Sequence, residues 1–595
     1  MNLNYNDETS QFITKRLQII DEQKIEETLI LQKTGRIPEE LREKNLKSNA
    51  KFMKNILILT ISQIIIKLLG LIYRIVIVNF DGFGDAGNGY YASGYEIFAV
   101  MLTLSSIGIP SVISKLVSER VAIGDNKGAN RIFKESLKFF TFIGILCSLL
   151  LFFGADYIAT NILGVPNVNL TLKVLSPAIA FVSASAVIRG YFSGFEDMKL
   201  TSISQTLEQF LNAILSISFV YIAMVKISPQ PHILAAAGNL SSTVAVILAF
   251  VYTIMYFQSK KVKVDKKQKS ELDKKSSVNI IKMVLALSIP ITAGSLISVL
   301  NTFIDTITIS HGMQKMYQFK NINPEQLQIM IMSGKGILSK VITILGIFLA
   351  FSTAISTALI PSIAAFIAKG QKKVAKKRIE NAIDITIIAL LPMVVGTMVL
   401  AQPILKIVYS NASEGTYILQ ILAVSTIFIC LSHTINGGLQ GFNDVISPFI
   451  AVVVGAISKV VCNILFVPVF GIEGAAYSSI ICQVLAFLVS YIAINKKIHI
   501  SVGINKLFKQ ILSSIIMGVC VHYIYTLLLT KITNIYVLTL LSVIVGVIVY
   551  LIAIIILKVV NKEIIQMLPY GNRLVEKIET IQRRKQRKRE RLKRN

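Results

Sequence analysis

Long stretches with little charge dominate this sequence, and each is long enough to cross a bilayer. A helix needs about 20 mainly apolar residues to span roughly 30 Å of hydrocarbon, whereas a barrel strand needs only about 9–11. Charged residues make up 16% of the chain, against about 25% in soluble domains, which excludes a soluble enzyme of this size. We therefore predict an all-α integral membrane protein with fourteen transmembrane helices. The predicted spans are 56–79, 90–109, 136–160, 170–190, 201–224, 233–257, 283–310, 337–367, 379–400, 415–434, 446–467, 471–494, 508–530 and 535–557.

The excess of basic residues is concentrated in three segments beside these spans. Residues 573–595 hold eleven Lys/Arg against three acids, 258–282 hold nine against three, and 369–380 hold six against one. Because basic loops stay on the cytoplasmic side, both termini are predicted to be cytoplasmic. Anionic lipid is the expected partner of these segments. Nucleic-acid binding is not predicted, because no aromatic side chains interleave with the basic residues.

The sequence contains an internal repeat. The segment SSIGIPSVISKLVSERVAIGDNKGANRIFKESL (105–137) matches STAISTALIPSIAAFIAKGQKKVAKKRIENAI (352–383), and RGYFSGFED (189–197) matches NGGLQGFND (436–444). Both matches occur at nearly the same offset. Spans 1–6 and 7–12 are therefore predicted to form two six-helix repeats. Six is an even number, so the repeats insert with the same orientation, as in alternating-access transporters.

The predicted organisation follows from the spans, the repeat and the charge. Spans 13 and 14 are an addition after the second repeat. In the N-terminal tail, residues 9–31 are predicted to form a short amphipathic helix. The predicted domains are a polar cytoplasmic tail (1–55), an N-lobe (56–257), a basic cytoplasmic linker (258–282), a C-lobe (283–494), the added pair (508–557) and a basic cytoplasmic tail (558–595).

Charged side chains inside the spans mark candidate functional positions. Each costs about 3 kcal/mol at a helix centre and so requires a partner or a water-filled cavity. In span 1, Lys67 and Arg74 lie two turns apart on one helix face. A diphosphate could accept charge-assisted hydrogen bonds from both. The alternative is that Lys67 pairs with Glu208 of span 5 while Arg74 extends to the membrane surface.

The repeat places opposite charges at equivalent positions in the two lobes. It superposes Glu208 on Lys459 and Asn212 on Asn463, each charge lying one turn from its asparagine. Two interpretations stay open. Glu208 and Lys459 could form a couple across the seam that opens and closes during transport, or they could be two separately satisfied structural charges.

Span 7 carries a second polar pair, Asn301 and Asp305, with the same one-turn spacing. Their oxygens could bind Na⁺ or transfer a proton, or Lys459 could be the cation that neutralises Asp305. Glu96 of span 2 and Lys340 of span 8 are predicted to be interfacial rather than gating residues.

Other classes of function lack their sequence features. Gly334-Lys335 is preceded by Ile329 where an ATP-binding loop requires glycine, and the five cysteines show no metal-ligand spacing. A glycosyltransferase would require a metal-binding carboxylate cluster, and no Asp-x-Asp pair lies beside a span. We therefore predict a protein that is not an enzyme and that has no cofactor and no metal.

Three segments resemble a known family: GYYASGYEIFAVMLTLSSIGIPSVISKLVSE (89–119), KLLGLIYR (67–74) and LNTFID (300–305). They are similar to the stage V sporulation protein B and YtgP-type polysaccharide transporters. That group belongs to the multidrug/oligosaccharidyl-lipid/polysaccharide (MOP) flippase superfamily, together with the MurJ lipid II flippases. The resemblance covers about residues 52–557. It implies a V-shaped fourteen-helix transporter in the bacterial cell membrane.

The resemblance also implies a substrate and its contacts. The substrate would be an undecaprenyl-diphosphate-linked peptidoglycan precursor moved to the outer leaflet, with cell-wall synthesis proteins as further partners. The cavity cations of the family fall on Lys67 and Arg74, and its span 7 acid falls on Asp305. Lys459 and Asn463 stand where sodium-binding relatives offer oxygen ligands, which argues against a sodium site. The alternatives are export of another lipid-linked polysaccharide unit, drug/cation antiport, or a non-transporting scaffold for cell-wall or spore-cortex assembly.

Overall fold

The computed structural model describes residues 62, 65–106, 108–260, 270, 272, 275–318, 320, 322–500, 503–557 and 559. The predicted tail at 1–55, including its helix at 9–31, lies outside the described residues. So does the predicted basic tail at 558–595, apart from Val559. The domain boundaries in these regions stay predictions.

The described residues form a series of long helices joined by short connections. The helices are α1 (65–78), α2 (Gly84–Ser106), α3 (Ile109–Ala122), α4 (Asn126–Tyr157), α5 (Asn169–Leu175), α6 (Ala178–Gly194), α7 (Lys199–Lys226), α8 (Pro231–Lys260), α9 (Ser277–Tyr317), α10 (Pro324–Ala368), α11 (Lys372–Val399), α12 (Ala401–Val408), α13 (Thr416–Gly441), α14 (Ile446–Phe470), α15 (Ile472–Ile498), α16 (Ile504–Leu529) and α17 (Ile535–Ile556).

Twelve helical stretches in the described part of the chain are long and apolar enough to cross a membrane. They coincide with twelve of the fourteen predicted spans. The other two predicted spans are 56–79, of which α1 covers residues 65–78, and 283–310, which lies within α9. The protein is therefore a multi-pass, all-helical membrane protein, and the count of fourteen stays a prediction.

The two repeat segments differ in helix geometry at the position of Gly108. Gly108 has a left-handed backbone (φ 89°), and α3 begins directly after it with Pro110 in its first turn. In the second repeat Leu359 takes the place of Gly108, and α10 continues through Pro361 without interruption. A left-handed residue ends a helix readily only where it has no Cβ atom. The helix therefore breaks in the first lobe and continues in the second.

Glycines of α6 and α13 permit close approach of a neighbouring helix in both halves of the chain. A Cβ atom on Gly190 would lie 2.8 Å from the Pro110 carbonyl oxygen of α3. A Cβ atom on Gly437 would lie 2.7 Å from the Ser356 carbonyl oxygen of α10. Both contacts join the glycine helix to the helix carrying the Ile-Pro-Ser segment. The contacted positions are not equivalent, because the alignment pairs Ser356 with Ser105 rather than with Pro110, and the internal repeat stays a prediction.

The last two helices pack on the second lobe. The Tyr550 hydroxyl of α17 donates a hydrogen bond of 2.6 Å to the Ile388 carbonyl oxygen of α11. Lys506 of α16 forms a 2.5 Å ion pair with Asp384 of α11. Spans 13 and 14 thus extend the second lobe and leave the contact between the lobes to other helices.

At one end of the bundle, α2 of the predicted N-lobe packs against α10 of the predicted C-lobe. One hydrophobic cluster contains buried residues from both, including Tyr90 and Tyr91 of α2 and Leu338 and Val341 of α10. We call this the sealed end. The opposite end carries the basic connections and is called the basic end. The sealed end contains the connections 79–83, 158–168, 318–323 and 409–415.

Candidate functional site

The crossing of α2 and α10 closes the sealed end backbone to backbone. A Cβ atom on Gly89 would lie 1.9 Å from the Met332 carbonyl oxygen, and one on Gly336 would lie 1.7 Å from the Asp85 carbonyl oxygen. The Asn88 amide donates a 2.7 Å hydrogen bond to the Gly336 carbonyl oxygen. Only glycine permits this approach. A path between the lobes is therefore closed at this end.

A buried ion pair joins the lobes beside the crossing. Lys340 of α10 lies 2.6 Å from the Asp85 carboxylate of α2, and its side chain is 0% exposed. Its ammonium also donates to the Ala412 carbonyl oxygen. The prediction that Lys340 is interfacial is therefore wrong, because a partner in the other lobe satisfies its charge inside the protein.

A second ion pair between the lobes involves Glu96. Its carboxylate lies 2.9 Å from the Lys335 ammonium of α10 and also accepts a hydrogen bond from Thr306 of α9. The Lys335 side chain is 3% exposed. The interfacial prediction for Glu96 is therefore wrong as well. Both pairs must break if the lobes separate at the sealed end.

Arg74 lies directly below the crossing, on the side of the basic end. Its Nε donates to the Asn88 side chain and its Nη2 donates to Ser339 of α10, both at 2.9 Å. The guanidinium carbon lies 4.6 Å from the centre of the Tyr91 ring. No carboxylate among the described residues forms an ion pair with Arg74. Arg74 therefore does not extend to the membrane surface, and its charge is free to meet an anion.

Lys67 lies two turns from Arg74 towards the basic end. Its side chain is exposed in the protein, and no described residue forms an ion pair with it. It lies close enough to His433 of α13 to influence that ring electrostatically. The alternative in which Lys67 pairs with Glu208 is wrong, since Glu208 has another partner. Lys67 and Arg74 are thus two cations on α1 without a described acidic partner.

Glu208 and Asn212 of α7 bond within the first lobe. The Glu208 carboxylate lies 3.1 Å from a guanidinium nitrogen of Arg189 on α6. The Asn212 side-chain oxygen accepts a 3.0 Å hydrogen bond from Ser242 of α8. Together with Arg74, Glu208 and Asn212 line a cavity of about 210 Å³.

A buried polar cluster occupies the second lobe between α9, α14 and α15. Lys459 lies 3.0 Å from one Asp305 oxygen and donates a 2.7 Å hydrogen bond to Ser479. The Asn463 amide donates to the other Asp305 oxygen at 2.9 Å and to Thr308 at 2.8 Å. The ammonium of Lys459 therefore occupies the position where an acid and a hydroxyl would hold a monovalent cation.

These contacts decide between the hypotheses drawn from the repeat. Glu208 and Lys459 do not form a couple across the seam, because each is paired within its own lobe, with Arg189 and Asp305 respectively. The interpretation of Lys459 as the cation that neutralises Asp305 agrees with the contacts. The Asn301 side chain lies outside the described set, so its proposed role stays untested.

Several residues of this site are not predicted from the sequence. Asp85 and Lys335 lie just before the predicted spans 90–109 and 337–367, so a hydropathy window does not identify them as intramembrane charges. Arg189 lies at the very end of its predicted span. A search for charges within two helical turns of each apolar stretch would have found all three.

The ion pair between the lobes gives a direct prediction. Lys340→Met leaves the Asp85 carboxylate buried and unpaired, which costs about 3–5 kcal/mol and destabilises the sealed state. In a background lacking the five native cysteines, Ser339→Cys reports on opening. We expect a charged thiol reagent added on the side of the sealed end to modify it at least about tenfold faster in Lys340→Met.

The control for this prediction breaks an ion pair that lies inside the second lobe. Lys506→Met removes the partner of Asp384 without touching the contact between lobes. It is expected to leave the modification rate of Ser339→Cys unchanged. Equal thiol modification rates in the two lysine variants would show that the Asp85–Lys340 pair does not keep the sealed end closed.

The chain is similar to proteins of known family and fold. A family model described as polysaccharide biosynthesis protein matches residues 52–367, and one described as MatE matches residues 332–465. Stage V sporulation protein B of Bacillus subtilis (strain 168) is 27% identical over 461 residues, covering 76% of this chain and 86% of that protein. Lipid II flippase MurJ of the same organism is 22% identical over 498 residues, covering 80% and 89%.

A solved structure shows the same fold. The chain superposes on a lipid II flippase MurJ in an inward closed conformation with a TM-score of 0.65 and 17% sequence identity. The match covers 84% of this chain and 98% of that one. At this identity the likeness establishes the fold and leaves the substrate open.

Proposed function

The chain belongs to the polysaccharide biosynthesis protein family, within the MOP flippase superfamily, and we propose that it moves a lipid II-type peptidoglycan precursor across the membrane. The precursor is linked to undecaprenyl diphosphate and passes from the inner to the outer leaflet. The match to the polysaccharide biosynthesis family model and the similarity to a lipid II flippase support a MOP-family flippase. The identity of the glycan is the part that we add.

The observation that carries the proposal is the unpaired guanidinium of Arg74. A cation inside a membrane protein is costly unless a partner or a water-filled space compensates it. Arg74 has only neutral hydrogen-bond partners among the described residues, namely Asn88 and Ser339. A diphosphate supplies the missing negative charge and accepts bidentate hydrogen bonds from a planar guanidinium.

Lys67 extends the same cationic face towards the basic end. An ammonium is a compact charge that follows a moving phosphate without a fixed geometry. We assign Lys67 to first contact with the diphosphate and Arg74 to its binding below the seal. The family resemblance implies cavity cations at both positions, without giving their order.

The conformation follows once the basic end is assigned to the cytoplasm by the positive-inside rule. Both termini are then cytoplasmic, and the sealed end faces the outside. The Asp85–Lys340 and Glu96–Lys335 pairs would then hold the outer side closed. Negative charge arriving at Arg74 would help to release that side by competing for its bonds to Asn88 and Ser339.

Two further partners belong to the proposal. The basic linker and loops would attract anionic lipid at the cytoplasmic surface. Cell-wall synthesis proteins would deliver and consume the lipid-linked precursor. Transport itself would be driven by the membrane potential or by protons, because Lys459 occupies the cation position beside Asp305.

A second candidate is drug/cation antiport, which the match of residues 332–465 to the MatE model favours. Such a transporter needs acidic groups free to meet a cationic drug. Here Glu208 and Asp305 are both paired with basic side chains, whereas Lys67 and Arg74 are not paired with described acids. The cavity therefore suits an anionic substrate.

Purified protein in liposomes distinguishes the two candidates. Labelled lipid II should cross the bilayer at least about tenfold faster with the protein than without it, and a lipophilic cation should not be exported against a proton gradient. Cation export without any acceleration of lipid II would favour antiport and contradict the flippase proposal.

A further inference from the structure

A cavity of about 210 Å³ lies inside the first lobe, apart from the seam between the lobes. Its walls come from α1, α2, α6, α7 and α8. Arg74 forms part of the wall, so the cavity adjoins the proposed diphosphate site. Sites for drug-sized ligands measure about 300–1,000 Å³, and this smaller space suits one ring-sized group.

Several polar groups in the wall have unused hydrogen-bonding capacity. Among the described residues, the Gln209 amide has no hydrogen-bond partner. Glu208 uses only one carboxylate oxygen for Arg189, and Asn212 uses only its side-chain oxygen, which leaves its amide nitrogen free. Polar groups at membrane depth are expensive unless they line a cavity that they serve.

Aromatic rings form the remaining side of the cavity. Tyr91 lies under the guanidinium of Arg74, and Tyr95 and Phe98 contact each other with ring centres 5.7 Å apart. The Tyr95 side chain, which also lines the cavity, is 42% exposed. Flat aromatic faces next to a few directed polar groups are the arrangement that holds a ring with one apolar face and hydroxyl groups at its edge.

From this arrangement we infer that the cavity, here called the sugar pocket, binds the sugar ring attached to the diphosphate. Gln209, Asn212 and the free oxygen of Glu208 would bond its hydroxyl and amide groups, while Arg74 holds the adjacent phosphate. This inference rests on the proposed function. It makes Glu208 and Asn212 substrate-recognition residues rather than gating residues.

The test compares two lipids that differ only in the sugar. Full-length protein in nanodiscs is titrated with undecaprenyl diphosphate and with the same lipid carrying one N-acetylhexosamine. A neutral hydrogen bond is worth about 0.5–1.5 kcal/mol and one to a carboxylate about 1.5–3 kcal/mol, so the native protein should bind the glycosylated lipid at least about tenfold more tightly.

The variants Gln209→Leu and Ser242→Ala test the pocket itself. Both should reduce the preference for the glycosylated lipid by at least about threefold and leave the affinity for undecaprenyl diphosphate unchanged. Ser218→Ala is the matched control. Its residue lies on α7 like Gln209, outside the cavity, and its hydroxyl bonds the Ile214 carbonyl oxygen at 2.9 Å. It should keep the full preference.

The outcomes separate the sugar pocket from the proposed function. Equal affinity of the native protein for both lipids overturns the pocket and leaves the flippase proposal standing. Failure to bind either lipid contradicts the proposed function. If the variants lower the affinity for both lipids equally, Gln209 and Ser242 act on the fold rather than on the sugar. That result also overturns the inference.

Discussion

Arg74→Ala is expected to abolish transport of the lipid-linked precursor while the protein still accumulates in the membrane. Truncating one member of a desolvated charge pair costs about 2–5 kcal/mol, which is about 30-fold or more in affinity for the diphosphate. The fold should tolerate the change, because Asn88 and Ser339 lose a donor without leaving a charge unpaired. The measurement is complementation of cells depleted of their own flippases, with membrane abundance determined in parallel.

Related variants define the chemistry at this position. Arg74→Lys should also impair complementation, since an ammonium cannot supply the planar fork of a guanidinium. Lys67→Ala should do the same at normal abundance. Arg378→Ala is the control, because Arg378 is exposed on α11 at the basic end. If Arg74→Ala lowers membrane abundance as much as complementation, the residue is structural and the diphosphate site is wrong.

Lys459→Ala has the second large expected effect, on stability and on ion dependence. Breaking a buried ion pair costs about 3–5 kcal/mol, because Asp305 is left charged and unpaired. A sodium ion can then take the position of the ammonium, between Asp305 and Ser479. We expect transport by the native protein in liposomes to be the same in Na⁺ and in K⁺ at fixed potential, and transport by Lys459→Ala to require Na⁺.

The double variant Asp305→Asn/Lys459→Ala provides the control, because it removes both charges. It should regain much of the lost thermal stability and show no sodium dependence. A sodium ion and a fixed ammonium a few ångströms apart repel each other by several kcal/mol at an effective dielectric constant of about 20. They therefore cannot share the site. Strict sodium dependence of the native protein would refute the assignment of Lys459 as the resident cation.

Hydropathy predicts the helical framework well, because each span must satisfy its backbone inside the membrane. It places helix ends less well. α2 begins at Gly84 and α10 at Pro324, ahead of the predicted 90 and 337. A hydropathy window stops where charge appears, whereas a helix continues if a partner satisfies that charge. For this reason hydropathy alone assigns Asp85 and Lys335 to connections rather than to helices.

Partner identity is predictable only where the sequence supplies a spatial relation. The repeat predicts that span 11 faces span 7, and the opposite charges of Lys459 and Asp305 predict that they pair. These two residues form an ion pair. No comparable relation linked Glu208 to Arg189 on the neighbouring helix. Spacing gives the depth of a side chain and the face of its helix. It does not give the helix that this face meets.

Outer-leaflet accessibility of lipid II in cells tests the central claim most directly. Cells in which this protein is the sole flippase are depleted of it, and lipid II outside the membrane is measured with an impermeant probe. The account predicts a fall in accessible lipid II that the native protein restores and Arg74→Ala does not. Unchanged accessibility after depletion, in cells with no other flippase, would contradict it.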